Sequence, residues 1–242
     1  MRFFTGLHQP SDAKHFDSAF ISVNRLRPRK GPFQVNDWIM DSGAFTEVST
    51  HGRYRHDIGE YASEIRRWAC NGNLLAAVAQ DYMCEPFIVQ KTGLSVAQHQ
   101  QLTVERYDAL MDSDTNGVYV MPVLQGYNPE DYVRHVDLYG ARLGNSAWVG
   151  VGSICKRNGK PQDVEKVLSA IKAQRPDLRL HGFGLKTTAL SYAPVRAALH
   201  TADSMAWSFH ARINGRNGND WREAKAWAAK IEDRIRESNR VG

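Results

Sequence analysis

Six short apolar runs in this chain each end in a small cluster of glycine and polar residues. They are Trp38-Ile39-Met40 into Asp41-Ser42-Gly43, Leu74 to Ala79 into Gln80-Asp81, Val118 to Leu124 into Gln125-Gly126, Trp148-Val149 into Gly150-Val151-Gly152-Ser153, Leu180 into His181-Gly182-Phe183-Gly184, and Ala202 into Asp203-Ser204. Apolar and polar residues do not alternate within the runs, as expected for parallel strands covered on both faces. Phe3-Phe4-Thr5 and Ala19 to Val23 add two more strands. Segments of helical spacing lie between the later runs. They are marked by Ile58, Tyr61, Ile65 and Trp68; by Val96, Leu102, Tyr107 and Leu110 behind a Ser95 cap; by Pro129-Glu130-Asp131; by Val164, Val167, Leu168 and Ile171; by Ala189 to Leu199, interrupted at Pro194; and by Trp221, Ala224, Ala228, Ile231 and Ile235. Eight strands alternating with helices predict an α/β chain folded as a single-domain (β/α)8 TIM barrel over residues 1–242, with a doubly wound open sheet as the competing architecture.

The length of 242 residues suits one such barrel. No apolar run reaches the ~18–20 residues of a membrane helix, and Met1-Arg2-Phe3-Phe4-Thr5-Gly6 lacks a signal-peptide pattern. A cytoplasmic protein with no membrane partner is therefore expected. Cys70, Cys84 and Cys155 have neither zinc-ribbon spacing nor an even count, so reduced and mostly buried thiols are expected. The formal net charge is +5. Arg25, Arg27, Arg29 and Lys30 cluster early, Arg212, Arg216 and Arg222 follow the last strand, and Arg234, Arg236 and Arg240 lie near the end. Such clusters fit either a solvated basic surface or a polyanionic partner.

In a β/α barrel the carboxyl ends of the strands form the reactive face. Asp41, Asp81, Gln125, Gly152 and Asp203 reach that face from different strands. A carboxylate at Asp203 can attack the anomeric carbon of a sugar and form a covalent glycosyl-enzyme. The same residue also reads as a loop or helix cap. Asp41 can serve as a general acid and base, although Asp-Ser-Gly is equally a turn sequence. Ser42 and Gly43 belong to that turn, where Gly43 lets backbone and ligand approach closely. Asp81 and Gln125 suit a guanine-like edge, the carboxylate accepting from ring N–H and amine groups and the amide donating to a carbonyl. Gly126 closes the Gln125 segment, and Gly152 and Ser153 can offer backbone N–H groups to the same carbonyl. Phe45, Tyr82 and Tyr127 can stack on a planar base or simply pack. No metal-ligand spacing, phosphate loop or dinucleotide fingerprint occurs, so no metal and no cofactor is expected. His181 and His210 are read as neutral polar residues near the reactive face.

In order along the chain, these motifs resemble the tRNA-guanine transglycosylase superfamily. Asp41-Ser42-Gly43-Ala44-Phe45 looks like its Asp-Ser-Gly-Gly-Phe motif, whose Asp is the acid/base group. Ala79-Gln80-Asp81 resembles the Phe-Asp-Glu segment that binds the incoming deazaguanine. Val123-Leu124-Gln125-Gly126 is similar to the Val-Gln-Gly motif, and Gly150-Val151-Gly152-Ser153-Ile154 to the Ile-Gly-Gly-Leu segment lining the base pocket. Ala202-Asp203-Ser204 falls where that superfamily has its nucleophile. The resemblance runs from Trp38 to Trp207. No Cys follows Cys155, so the zinc subdomain of members acting on tRNA is absent. The short length, Thr5-Gly6-Leu7-His8-Gln9-Pro10 and the run 203–208 look more like the compact DpdA-like branch, which inserts 7-deazaguanines into DNA in phages and bacterial genomic islands.

The resemblance implies exchange of guanine in DNA for 7-cyano- or aminomethyl-7-deazaguanine, with Asp203 as nucleophile and Asp41 as acid and base. Lys156, Arg157, Arg212 and Arg216 then hold flanking phosphates. The same exchange on tRNA or another RNA, a non-catalytic nucleic-acid-binding subunit and a barrel hydrolase that releases the base are the alternatives. Many members of the superfamily dimerise, but no homodimer interface is legible here.

Overall fold

Every predicted apolar run forms a strand, and every neighbouring pair is parallel. The computed structural model describes residues 1–157 and 159–240, without the side chains of Lys156 and residues 237–240. The strands are β1 (Arg2–Gly6), β2 (Ser18–Ser22), β3 (Asp37–Asp41), β4 (Asn73–Val78), β5 (Val120–Met121), β6 (Val123–Leu124), β7 (Trp148–Val151), β8 (Arg179–Gly182) and β9 (Thr201–Ser204). Their order is β5-β4-β3-β2-β1-β9-β8-β7-β6. β5 and β6 are two halves of one run separated by Pro122, which has no N–H to donate to a ladder. The upper half of the run therefore pairs with β7 and the lower half with β4, so the ring closes through a single proline. The Pro122 carbonyl still accepts from Gly150 N–H at 2.8 Å. The Tyr119 hydroxyl spans the gap, donating to the Trp148 carbonyl at 2.8 Å and accepting from its N–H at 3.1 Å. The architecture is the predicted TIM-barrel-like α/β fold, and the open doubly wound alternative is excluded.

The lack of alternation now has its physical reason. Phe4, Ile39, Ala76, Val78, Met121, Val123 and Trp148 fill the barrel interior. Their strand neighbours Phe3, Trp38, Met40, Ala77, Leu124 and Val149 pack outward against the helices. Both faces of each strand are buried, so both must be apolar. Toward the carboxyl ends the inward positions turn polar: Asp41 follows Ile39 by two residues, and Asp203 follows Thr201 by two.

The helices form where the periodicity placed them: Ile58–Trp68, Val96–Met111, Pro129–Tyr139, Pro161–Gln174 and Trp221–Arg240. The Ser95 cap is half of a capping box with Gln98, and Asp57 with Glu60 forms another. The segment around Pro194 divides into Thr187–Leu190 and Ala193–Ala198, with the proline in the first turn of the second helix, where its missing N–H costs nothing. The irregular stretch after β1 is a 3-10 helix, Pro10–His15. Val23 begins the one-turn helix Val23–Leu26 and does not extend β2. The helices Ala44–His51, Pro86–Thr92 and Ala206–Ile213 were not foreseen, because each is too short to display a period. No helix among the described residues is long and apolar enough to cross a membrane.

Candidate active site

A cavity of about 660 Å³ opens at the carboxyl ends of the strands. Asp41, Asp81, Gln125, Gly152, Ser153, Asp203 and Phe45 all line it. Residues scattered over most of the chain thus meet in one place, the reactive end of the barrel.

Asp203 is nearly buried, with 5% of its surface exposed. Its Oδ1 accepts from Gly184 N–H at 3.0 Å and lies 3.3 Å from His181 Nε2. The hydrogen bonds that the described residues make to this carboxylate fall on Oδ1. His181 is fully buried, and its Nδ1 lies 2.8 Å from Thr201 Oγ1. Thr201 Oγ1 already accepts from Trp148 Nε1–H at 2.8 Å. Facing a carboxylate oxygen, Nε2 is the donor of the contact with Asp203. The contact of His181 with Asp203 has no counterpart in any sequence motif.

Asp41 ends β3, and Gly43 starts the helix Ala44–His51 at a left-handed φ of 75°. Gly43 N–H donates back to Asp41 Oδ2 at 3.1 Å. Any side chain at Gly43 would press on the Asn24 amide. Burial raises the Asp41 pKa to about 6, opposed by the Ser22 hydroxyl and assisted by the charge of Asp203. A carboxyl poised there can both give and take a proton near neutral pH.

Asp81, Gln125, Ser153 and Glu85 form a continuous polar wall. Gln125 Nε2–H donates to Asp81 Oδ2 through a short contact. Ser153 Oγ lies 2.7 Å from Gln125 Oε1 and 2.9 Å from Glu85 Oε2, and accepts from Cys84 N–H at 2.9 Å. Burial raises the Asp81 pKa to about 7, against the hydrogen bond from Gln125 and helped by the charges of Asp41 and Glu85. Ser153 holds a φ of 55°, a left-handed conformation that side chains rarely adopt and that ligand sites often contain. Glu85 is a buried lining residue that no sequence motif indicated.

Other predicted site residues lie elsewhere or are already engaged. Gly152 N–H donates to the Leu124 carbonyl at 2.9 Å, so it is not available to a ligand. Gly152 matters instead for the space it leaves, since a Cβ there would strike the Gln125 amide. Ser42 is buried and is not among the residues that line the cavity. Tyr82 packs edgewise against Tyr54 and His99, with ring centroids 5.6 Å away in each case, and is not among the residues that line the cavity. Gly126 sits against Tyr132 and the Asp131 Cβ, where its lack of a side chain lets the turn close. Tyr127 is exposed under the Arg157 guanidinium, 4.6 Å from it. Arg212 is exposed on the helix Ala206–Ile213, whereas Arg216 is tied to Glu223 at 3.0 Å. The Lys156 side chain and Arg240 side chain lie outside the described residues. Cys70 is exposed, against the expectation of mostly buried thiols; Cys84 is buried, and burial pushes its thiol pKa up, away from nucleophilic use. No group of three potential metal ligands occurs among the described residues.

A family model, DeoxyPurine in DNA protein A (DpdA), matches residues 1–241. The chain belongs to the DpdA family. This connects it to deoxypurine modification in DNA, and makes DNA the implied substrate. No curated protein matches the chain. The DpdA match spans the whole strand series and so includes every residue of the cavity wall.

Proposed function

We propose that this DpdA chain exchanges guanine in DNA for a 7-deazaguanine base through a covalent Asp203 glycosyl intermediate. The observation that carries this reading is the convergence of Asp203, Asp41 and the Asp81–Gln125–Ser153 wall on one cavity. Asp203 Oδ2 attacks C1′ of the target deoxyguanosine, and the bond from C1′ to the purine nitrogen breaks. Asp41, in its protonated form, supplies the proton to the departing guanine. The incoming deazaguanine then gives its ring N–H proton to the Asp41 carboxylate. The freed ring nitrogen attacks C1′ and expels Asp203, so two inversions give overall retention. One glycosidic bond replaces another, and no external energy source is required. Asp81 accepts from the amine and ring N–H of the base, and the second N–H of Gln125 meets its carbonyl. Phe45, half exposed at the cavity wall, offers a face for stacking. The target must leave the duplex stack or be single-stranded to reach this cavity.

The test is exchange of radiolabelled guanine into DNA, with tRNA assayed in parallel. Asp203→Asn is expected to lower exchange by at least about 10³-fold while the protein stays folded. Wild-type exchange in that variant would remove Asp203 from the role of nucleophile. Exchange into tRNA alone would redirect the reading to RNA.

A further inference from the structure

The cavity mouth has two chemically opposite halves. Asp81, Gln125, Glu85 and Ser153 stand on the side of β4, β6 and β7. Across the ring, His8 follows β1, and Asn24 and Arg25 follow β2; all three line the same cavity. β1 and β9 are neighbours, and Gly6 lies directly against Ser204 and Met205, so the His8 turn stands beside the strand that carries Asp203.

In this second half His8 is held by its neighbours. His8 Nε2 lies 2.8 Å from Ser208 Oγ, and its ring meets Trp207 edge-on at 5.6 Å. The other ring nitrogen, Nδ1, is buried without a hydrogen-bond partner. Asn24 Nδ2 is also buried without a partner. The Arg212 stem packs beside Gly218 and the Ser208 carbonyl, next to the serine that holds His8. Burial, Arg25 and Arg212 all lower the His8 pKa, so the two guanidinium groups act on one point. Arg55, Arg175 and Arg216 each hold a carboxylate. Arg25 and Arg212 make no ion pair among the described residues. Two buried polar nitrogens without partners, beside two exposed guanidinium groups that hold no carboxylate, suit a ligand with negative charge and acceptor oxygens.

We propose that His8, Asn24, Arg25 and Arg212 form a phosphodiester subsite that grips the backbone linkage beside the target nucleotide. The proposal rests on the base-exchange reading for its orientation. With the base against Asp81 and Gln125 and C1′ at Asp203, the sugar and its phosphate face the His8–Arg25 half. Guanidinium groups suit this ligand because their planar fork matches phosphate oxygens.

The test uses a single-stranded 12-nucleotide DNA containing one guanosine. Matched versions carry a neutral methylphosphonate at the linkage 5′ or 3′ to that guanosine. Wild type and Arg25→Gln are compared by fluorescence anisotropy over a salt series. Arg25 is exposed, so the variant is expected to unfold at the wild-type temperature. Expected are about tenfold weaker DNA binding and a salt slope shallower by about one. One of the two methylphosphonates should weaken wild type by a similar factor and weaken Arg25→Gln hardly further. Full additivity of the two changes, or unchanged affinity and slope in the variant, overturns the subsite. Guanine binding, measured by calorimetry, should be equal in both proteins. A wild type that binds no guanine defeats the base-exchange reading, whereas lost phosphate coupling with guanine binding intact defeats only the subsite.

Discussion

In the proposed exchange the Asp203 carboxylate needs one oxygen held still and the other free. At Asp203 the hold comes from Gly184 N–H and from His181, which is itself set by Thr201 and Trp148. His181 is not among the residues that line the cavity, so in the proposed exchange it is a positioning residue. His181→Phe removes the Nε2–H donor while keeping a flat ring in the barrel interior. It is expected to lower kcat by about 10–100-fold, equivalent to roughly 1.4–2.7 kcal/mol, with KM for DNA little changed. His181→Gln keeps a donor and should recover part of the loss. Equal kcat values for Phe and wild type in a labelled-guanine assay would show that the histidine only fills space.

Among the elements, β7 shows how a strand shapes a site by what it lacks. Gly150 leaves room for the Phe183 ring, and Gly152 leaves room for the Gln125 amide. Gly152→Ala would push that amide off Asp81 and Ser153. The expected cost is about 1–3 kcal/mol of stability, as for other overpacked positions, with guanine affinity down at least about tenfold. Denaturant melts and calorimetry check the two parts separately. The glycines were visible in the sequence as a loop-like Gly-Val-Gly-Ser segment, which suggested backbone donors. The ladder instead uses Gly152 N–H for Leu124, because the strand pairing continues one residue past the apolar run. A similar limit hid the helix Ala206–Ile213, whose eight residues follow β9 with no period long enough to read.

For the molecule as a whole, the acidic half of the cavity sets a pH dependence of stability. Asp41 and Asp81 keep their protons in the folded chain up to about 6 and about 7, whereas the unfolded chain loses them near 3.8. Between these values the folded state binds more protons than the unfolded state, so this contribution to stability falls as pH rises from about 4 to about 7. Asp81→Asn removes the larger share. Its melting temperature should match wild type near pH 4 and exceed it above pH 7 by several degrees, on the order of 2 kcal/mol. Scanning calorimetry at several pH values measures this, and a pH-independent difference would contradict the burial of an ionisable Asp81. Base exchange by the same variant should be lost, which would place stability and function in opposition at this residue.

Local order along the chain determined the eight-run barrel, the longer helices and the polar residues that end each strand, because those depend on burial of both strand faces and on helical periodicity. It also carried the family motifs around Asp41, Asp81, Gln125 and Asp203. Which polar groups meet was decided only by closing the ring. Closure set His181 against Asp203, joined Glu85 to Ser153, and placed His8 beside Arg25 and Arg212. Those partners stand up to 68 residues apart in the hydrogen-bonded pairs, and no local pattern encodes a contact made across the barrel mouth.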